Sequence, residues 1–417
     1  MNELQRLVEK TLADAPQLLL EKRLAEKFKA AGLKTTSATV RKAALHILSG
    51  SEEPFNIKGK GDNISIQITD EDIEYVINGT ERLNGEALEP FLRNAADMIA
   101  DDLHKSLSKQ WPVEFDAQRS DIAQFRERLE CRWGTGLAKL RMLLTIGREW
   151  AQGAYERLES SGSKQSKKRL ADVMLRLHVR ACQVTHEVIV LLENGLADGA
   201  MARWRTLHEI TIVAAMIARF GEEIAERYLL YQVVESFAAL KAYERDHTAL
   251  GYKPISKRRS EKIRKEYSRL IARFGKKFGE EYGWAAHHLG IKEKERLTFA
   301  RLEQEVGNAF MRSPYKLASY NVHASPKGIY FKLGNLGDSP GYIAGASNAG
   351  LSEPAQHTAV SLSEITMLAL GESAVLDDLV AANIVSRLQL EIPREFAKAE
   401  RKLQRDNKRF RATHSSG

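Results

Sequence analysis

The sequence predicts a mainly α-helical protein: a large helical bundle with a small N-terminal α+β module of the order helix-helix-hairpin. Three observations carry that prediction. Apolar residues recur at helical spacing over most of the chain, as in Phe125, Leu129, Trp133, Leu137, Leu140 and Leu144. Alternation of the strand type is confined to Phe55, Ile57, Ile64, Ile66 and Ile68, around the turn-forming run Gly59-Lys60-Gly61-Asp62-Asn63. At 417 residues and 43% hydrophobic content the chain is long enough for two or three cored units.

In chain order, Leu18 to Ala31 reads as an amphipathic helix stopped by Gly32, and Thr35-Thr36-Ser37 offers N-caps for a second helix to Leu48. The hairpin follows, then a helix capped by Thr69 or Asp70. Leu88 to Lys109 reads as a helix ending before Trp111-Pro112. The expected organisation is a module over residues 1–112, a linker over 113–120, a bundle over 121–390 and a basic tail over 391–417.

The bundle centres on Leu191 to Phe220. One apolar helix closes at Glu193-Asn194-Gly195, where Gly suits a left-handed C-cap. A second opens after Asp198, a candidate N-cap. It carries a polar island, Arg203, Arg205, His208 and Glu209, inside an otherwise apolar surface. Two glycines, Gly134 and Gly136, weaken the long helix before it, and Ile329 to Leu333 has the composition of a strand.

Composition narrows the function. Two cysteines, Cys131 and Cys182, lie far apart without metal or redox spacing, which fits a reducing, cytoplasmic setting. No apolar run reaches the roughly 18 residues of a membrane span, so no membrane contact is expected. No phosphate loop, dinucleotide fingerprint or nucleophile elbow is present, and no metal or cofactor is expected. The net charge of +8 permits nucleic acid as a partner. The densest cationic stretch is Lys257, Arg258, Arg259, Lys262 and Lys265.

Three sets of residues have the chemistry for a site. Arg203 and His208 pair a phosphate-stabilising cation with an acid/base, as metal-independent RNA cleavage requires. Arg180 and His186 have the same form. The third set joins the i, i+4 pair Arg205 and Glu209 to Ser319, His323 and Ser325 downstream, where Glu beside His orients the ring. His287 and His288 could join it. The same residues have a second reading, a structural polar network.

The stretch GLADGAMARWRTLHEITIVAAMI, with Arg205-x3-Glu209 and the later Ser319-x3-His323, resembles a bacterial, all-helical family of unknown function over about residues 125–390. That family is similar to HEPN-type helical proteins, many of which are ribonucleases of defence and stress systems. Arg203 and His208 match the HEPN spacing, with Trp204 where the pattern has a polar residue. The resemblance implies action on RNA by a homodimer, with His208 or His323 as acid/base, Arg203 or Arg205 on the phosphate, and Glu209 as orienter. The alternative is a non-catalytic nucleic-acid-binding or protein-interaction module. A third organisation has the N-terminal module sensing a partner protein.

Overall fold

The computed structural model describes residues 13–51, 53–56, 65–84, 88–160, 165–336, 342–371 and 375–414. Among these residues the regular structure is helical and no strand forms. The chain divides into two compact units, residues 1–119 and 120–417.

In the first unit α1 (Ala15–Ala30) packs against α2 (Ser37–Leu48) and α3 (Asp70–Asn84). Thr36 caps α2, its hydroxyl accepting from the Thr39 amide. Leu20, Leu24, Phe28, Val40, Ala43 and Ala44 form the core. Ile66 and Ile68 pack against this core from an irregular segment instead of a strand. The expected hairpin turn, with Ile57 and Ile64, lies outside the described residues. Asp72 is fully buried. Burial alone would raise its carboxyl, but Lys27, the Thr69 amide and Arg23 together hold it well below the usual carboxylate range.

Helix α4 runs from Leu88 to Ser160 with Pro112 inside it. The expected stop before Trp111-Pro112 is therefore absent, and residues 113–120 are helical. A proline removes one backbone hydrogen bond, and every side chain around it, from residue 100 to 124, is exposed, so water can satisfy the freed carbonyl. Gly134 and Gly136 are helical. Gly136 makes room for Phe396, whose ring carbon would lie 2.7 Å from an added Cβ.

In the second unit α5 (Gln165–Glu193) and α6 (Ala197–Phe220) form an antiparallel pair. Gly195 closes α5 with a φ of 69°, and the Leu196 amide donates to the Leu191 carbonyl, a six-to-one C-cap bond. Asp198 does not cap α6. It lies in the first turn and accepts from the Leu333 amide at 3.1 Å.

Helix α7 (Glu222–Asp246) packs on α5 and α6, and α8 (Lys257–Phe274) packs on α7. Short helices follow: α9 (Gly283–Ala286), α10 (Phe299–Glu305), α11 (Arg312–Val322) and α12 (Pro326–Tyr330). The strand expected at Ile329 to Leu333 is not formed. Ser325 instead caps α12 through the Gly328 amide.

Helix α13 (Ser352–Leu370) lies across α6 and α5, and α14 (Leu376–His414) runs along α13. The stretch expected as a basic tail continues α14, because Ile392, Phe396 and Leu403 form a buried stripe. Phe396 stacks on Trp133 at 5.8 Å, and Arg132 pairs with Asp406 at 2.9 Å.

Candidate functional site

Helix α6 passes through the centre of the second unit, and its polar island is divided among three surroundings. Positions five apart lie roughly 140° apart around a helix at 100° per residue. Arg203 and His208 accordingly face different neighbours. Arg203 pairs with Glu187 of α5 and donates to Thr206. Its guanidinium does not approach His208.

His208 is 1% exposed. Its Nε2 lies 3.0 Å from Glu303 Oε1, and the other oxygen of Glu303 accepts from Arg312 at 3.0 Å. Trp204, Phe299 and Tyr315 surround the imidazole, with ring centroids 5.4, 5.9 and 5.7 Å away. Glu303 is fully buried, and a buried carboxylate is tolerated only with such partners. Behind them Trp204 donates to Ser361 at 3.1 Å and packs on His357. Burial, and secondarily His208, lower the His357 pKa to about 4. Burial raises the carboxyl of Glu364, which accepts from Asn308.

Arg205 and Glu209 form the expected i, i+4 pair, at 3.1 Å. Their further partner is Tyr315. Its hydroxyl donates to Glu209 at 2.6 Å, and the Arg205 guanidinium carbon lies 4.9 Å from its ring centre. Arg312 approaches the same ring at 5.2 Å. Burial, and then the Glu209 hydrogen bond, raise the Tyr315 pKa.

Tyr282 completes this edge. It has a φ of 54°, the only positive value at a non-glycine among the described residues. Burial raises its pKa, and so do Glu281 and Glu209. A side chain held in the left-handed region costs on the order of 1–3 kcal/mol, and such strain concentrates at functional edges.

Ser319 and His323 do not reach Arg205 and Glu209. Ser319 donates to the Tyr315 carbonyl at 2.9 Å, and His323 is the exposed C-cap of α11. Ser325 is the α12 cap. The expected helix does contribute, one turn earlier than expected, through Tyr315. His287 and His288 stand apart, with His288 3.9 Å from Glu223. His186 lines a cleft of about 380 Å³ between α4 and α5, whereas Arg180 bonds Gln183 on the surface.

The second candidate surface is α8. Lys257, Arg258, Arg259, Lys262 and Lys265 are all exposed, and no carboxylate among the described residues lies within ion-pair distance of any of them. Arg264 and Arg273 differ, pairing with Glu244 and Glu226 of the neighbouring α7; Glu226 also lies 3.7 Å from Arg169 of α5.

Residues 171–340 match a family of unknown function, DUF5677. The matched segment runs from α5 to just past α12. It includes Arg205, His208, Glu209, Tyr282, Glu303, Arg312, Tyr315 and the α8 cations. No curated protein and no solved structure gives a significant match. No helix among the described residues is long and apolar enough to cross a membrane.

Proposed function

We propose that this protein binds RNA or another nucleic acid through the cationic face of α8. In this reading the His208–Glu303–Arg312 network holds the bundle in register and does no chemistry. The observation that carries it is the unpaired state of five exposed cations on two and a half turns of one helix. Such charges are costly to crowd together, and a polyanion relieves the repulsion. His208, sealed under three aromatic rings, has no route to a phosphodiester.

The test is a salt titration of binding to single-stranded RNA. If all five cations meet phosphates, log K falls with log salt at a slope of about −3.5, or roughly 100-fold between 50 and 200 mM. Lys257→Glu, Lys262→Glu and Lys265→Glu together should weaken binding and flatten the slope by about 2. Binding that ignores both salt and the triple variant would refute the reading.

Cleavage is the second reading, and the strained Tyr282 beside the partly exposed Arg205–Glu209 pair favours it. Incubation with RNA in EDTA, beside Glu209→Gln, His208→Ala and His323→Ala, decides it. Loss of cleavage in a folded Glu209→Gln protein supports an active edge, and no cleavage by the unaltered protein removes it.

A further inference from the structure

Over residues 100–124 helix α4 is exposed on every side. A helix in water gains little from propensity alone and draws its stability from a packed apolar face. This segment has such a face, and no described residue buries it. Leu103, Leu107, Trp111 and Phe115 recur every four residues and are 56%, 61%, 53% and 48% exposed. Four-residue spacing sets them in one ridge. Trp111 and Phe115 stack on each other, and Arg119 lies over the Phe115 ring. None of the four touches the core of its own unit.

We infer that this ridge is a homodimer contact, in which the α4 helices of two copies cross antiparallel about a two-fold axis near residue 109. The occupant follows from the order of the residues. In that register Leu103 meets Phe115 of the second copy and Leu107 meets its Trp111, so every apolar side chain finds one of its own kind. The polar residues beside the ridge also match: His104 falls opposite Glu114 of the second copy. A parallel, in-register pair would place Glu114 against Glu114 and Arg119 against Arg119, like charges across a contact. Of the other ions here, Lys105 pairs with Asp102 at 3.6 Å and Arg119 with Asp116 at 3.7 Å within the helix, and Lys109 lies about 180° around the helix from the middle of the ridge, away from the contact. They neither demand nor oppose a partner. Packing four-residue ridges into each other's grooves gives a crossing near −50°. One such crossing covers less than the roughly 800 Å² per partner of a standard interface, which places it in the weak, transient class.

Sedimentation equilibrium of the full chain should show a monomer–dimer equilibrium in the micromolar range. Leu107→Asp with Trp111→Asp should weaken it at least 100-fold without loss of helical circular dichroism, since both side chains are exposed. Disulfide trapping in a Cys131→Ala background then reads the direction. Two copies of residue 103 lie about 18 Å apart in the antiparallel register, by a rise of 1.5 Å per residue. Leu103→Cys alone should therefore fail to cross-link, and a mixture of Leu103→Cys and Phe115→Cys chains should form the mixed disulfide. A chain that stays monomeric at 100 µM overturns the inference. So does a dimer unaffected by the double aspartate variant, or one that cross-links Leu103→Cys to itself.

Discussion

Removing the Glu303 carboxylate tests what the buried network does. Glu303→Ala deletes the shared acceptor of His208 and Arg312, both at 3.0 Å. The two donors differ in what they lose. The Arg312 side chain is 35% exposed and recovers water, so its loss is small. His208, with a side chain 2% exposed, cannot, and an unsatisfied buried donor costs about 1–3 kcal/mol. The vacated volume adds a cavity, and the sum is about 3–4 kcal/mol, within the range for breaking a buried pair. Glu303→Gln keeps the volume and one acceptor and should cost about half as much. Urea unfolding followed by tryptophan fluorescence is the assay, because Trp204 stacks on His208 and reports this region. At matched folded fraction, RNA affinity should equal that of the unaltered protein. A cost under about 0.5 kcal/mol for Glu303→Ala, as for an ordinary surface change, would show that the network does not stabilise the bundle. A folded Glu303→Gln protein that loses RNA would show that the network is functional.

Two further outcomes follow from buried titratable groups. His178 is fully buried against Thr366 at 3.0 Å, and burial lowers its pKa from 6.5 to about 4. The folded state therefore binds fewer protons than the unfolded one between these values. Stability is fully present above pH 6.5 and declines by about 3 kcal/mol as pH falls toward 4. His178→Gln should flatten that part of the stability–pH curve, and an unchanged slope would refute the assignment. Burial pushes the Cys182 thiol up to about 12, whereas Cys131 is exposed. A thiol reagent at pH 8 should modify one cysteine in the native protein and both in urea, and rapid native reaction of two would refute this.

Where local rules decide an element, the sequence was informative. Gly195 marks the α5–α6 turn, and the spacing of Arg205 and Glu209 marks their pair, because both depend only on residues within one or two turns. Pro112 misleads: a proline inside a helix costs about 3 kcal/mol through its missing N–H and the crowding of the preceding turn, yet the 73-residue helix continues through it. Ile66 and Ile68 alternate as in a strand, yet they pack singly against a helical core with no described neighbouring strand. Tyr315, Glu303 and Arg312 were not foreseen as site residues. They lie in short helices with little periodicity; the α6 partners of Glu303 and Tyr315 are about 100 residues earlier in the chain, and Arg312 joins them through Glu303. The one visible hint was that Tyr315 precedes Ser319 by four residues and so shares its face.

Trp204 has a consequence for what counts as a domain. It lies within the segment that matches the family, yet its indole bonds Ser361 and packs on His357, both beyond residue 340. Thr211 likewise bonds the Ser361 carbonyl. Helix α13 is thus the lid on the hydrophobic side of α6, and Trp133 of α4 closes against Phe396 of α14 outside the matched segment too. The segment that resembles the family is smaller than the unit that packs together. The helices of the matched segment are therefore completed, in this chain, by walls that lie outside it.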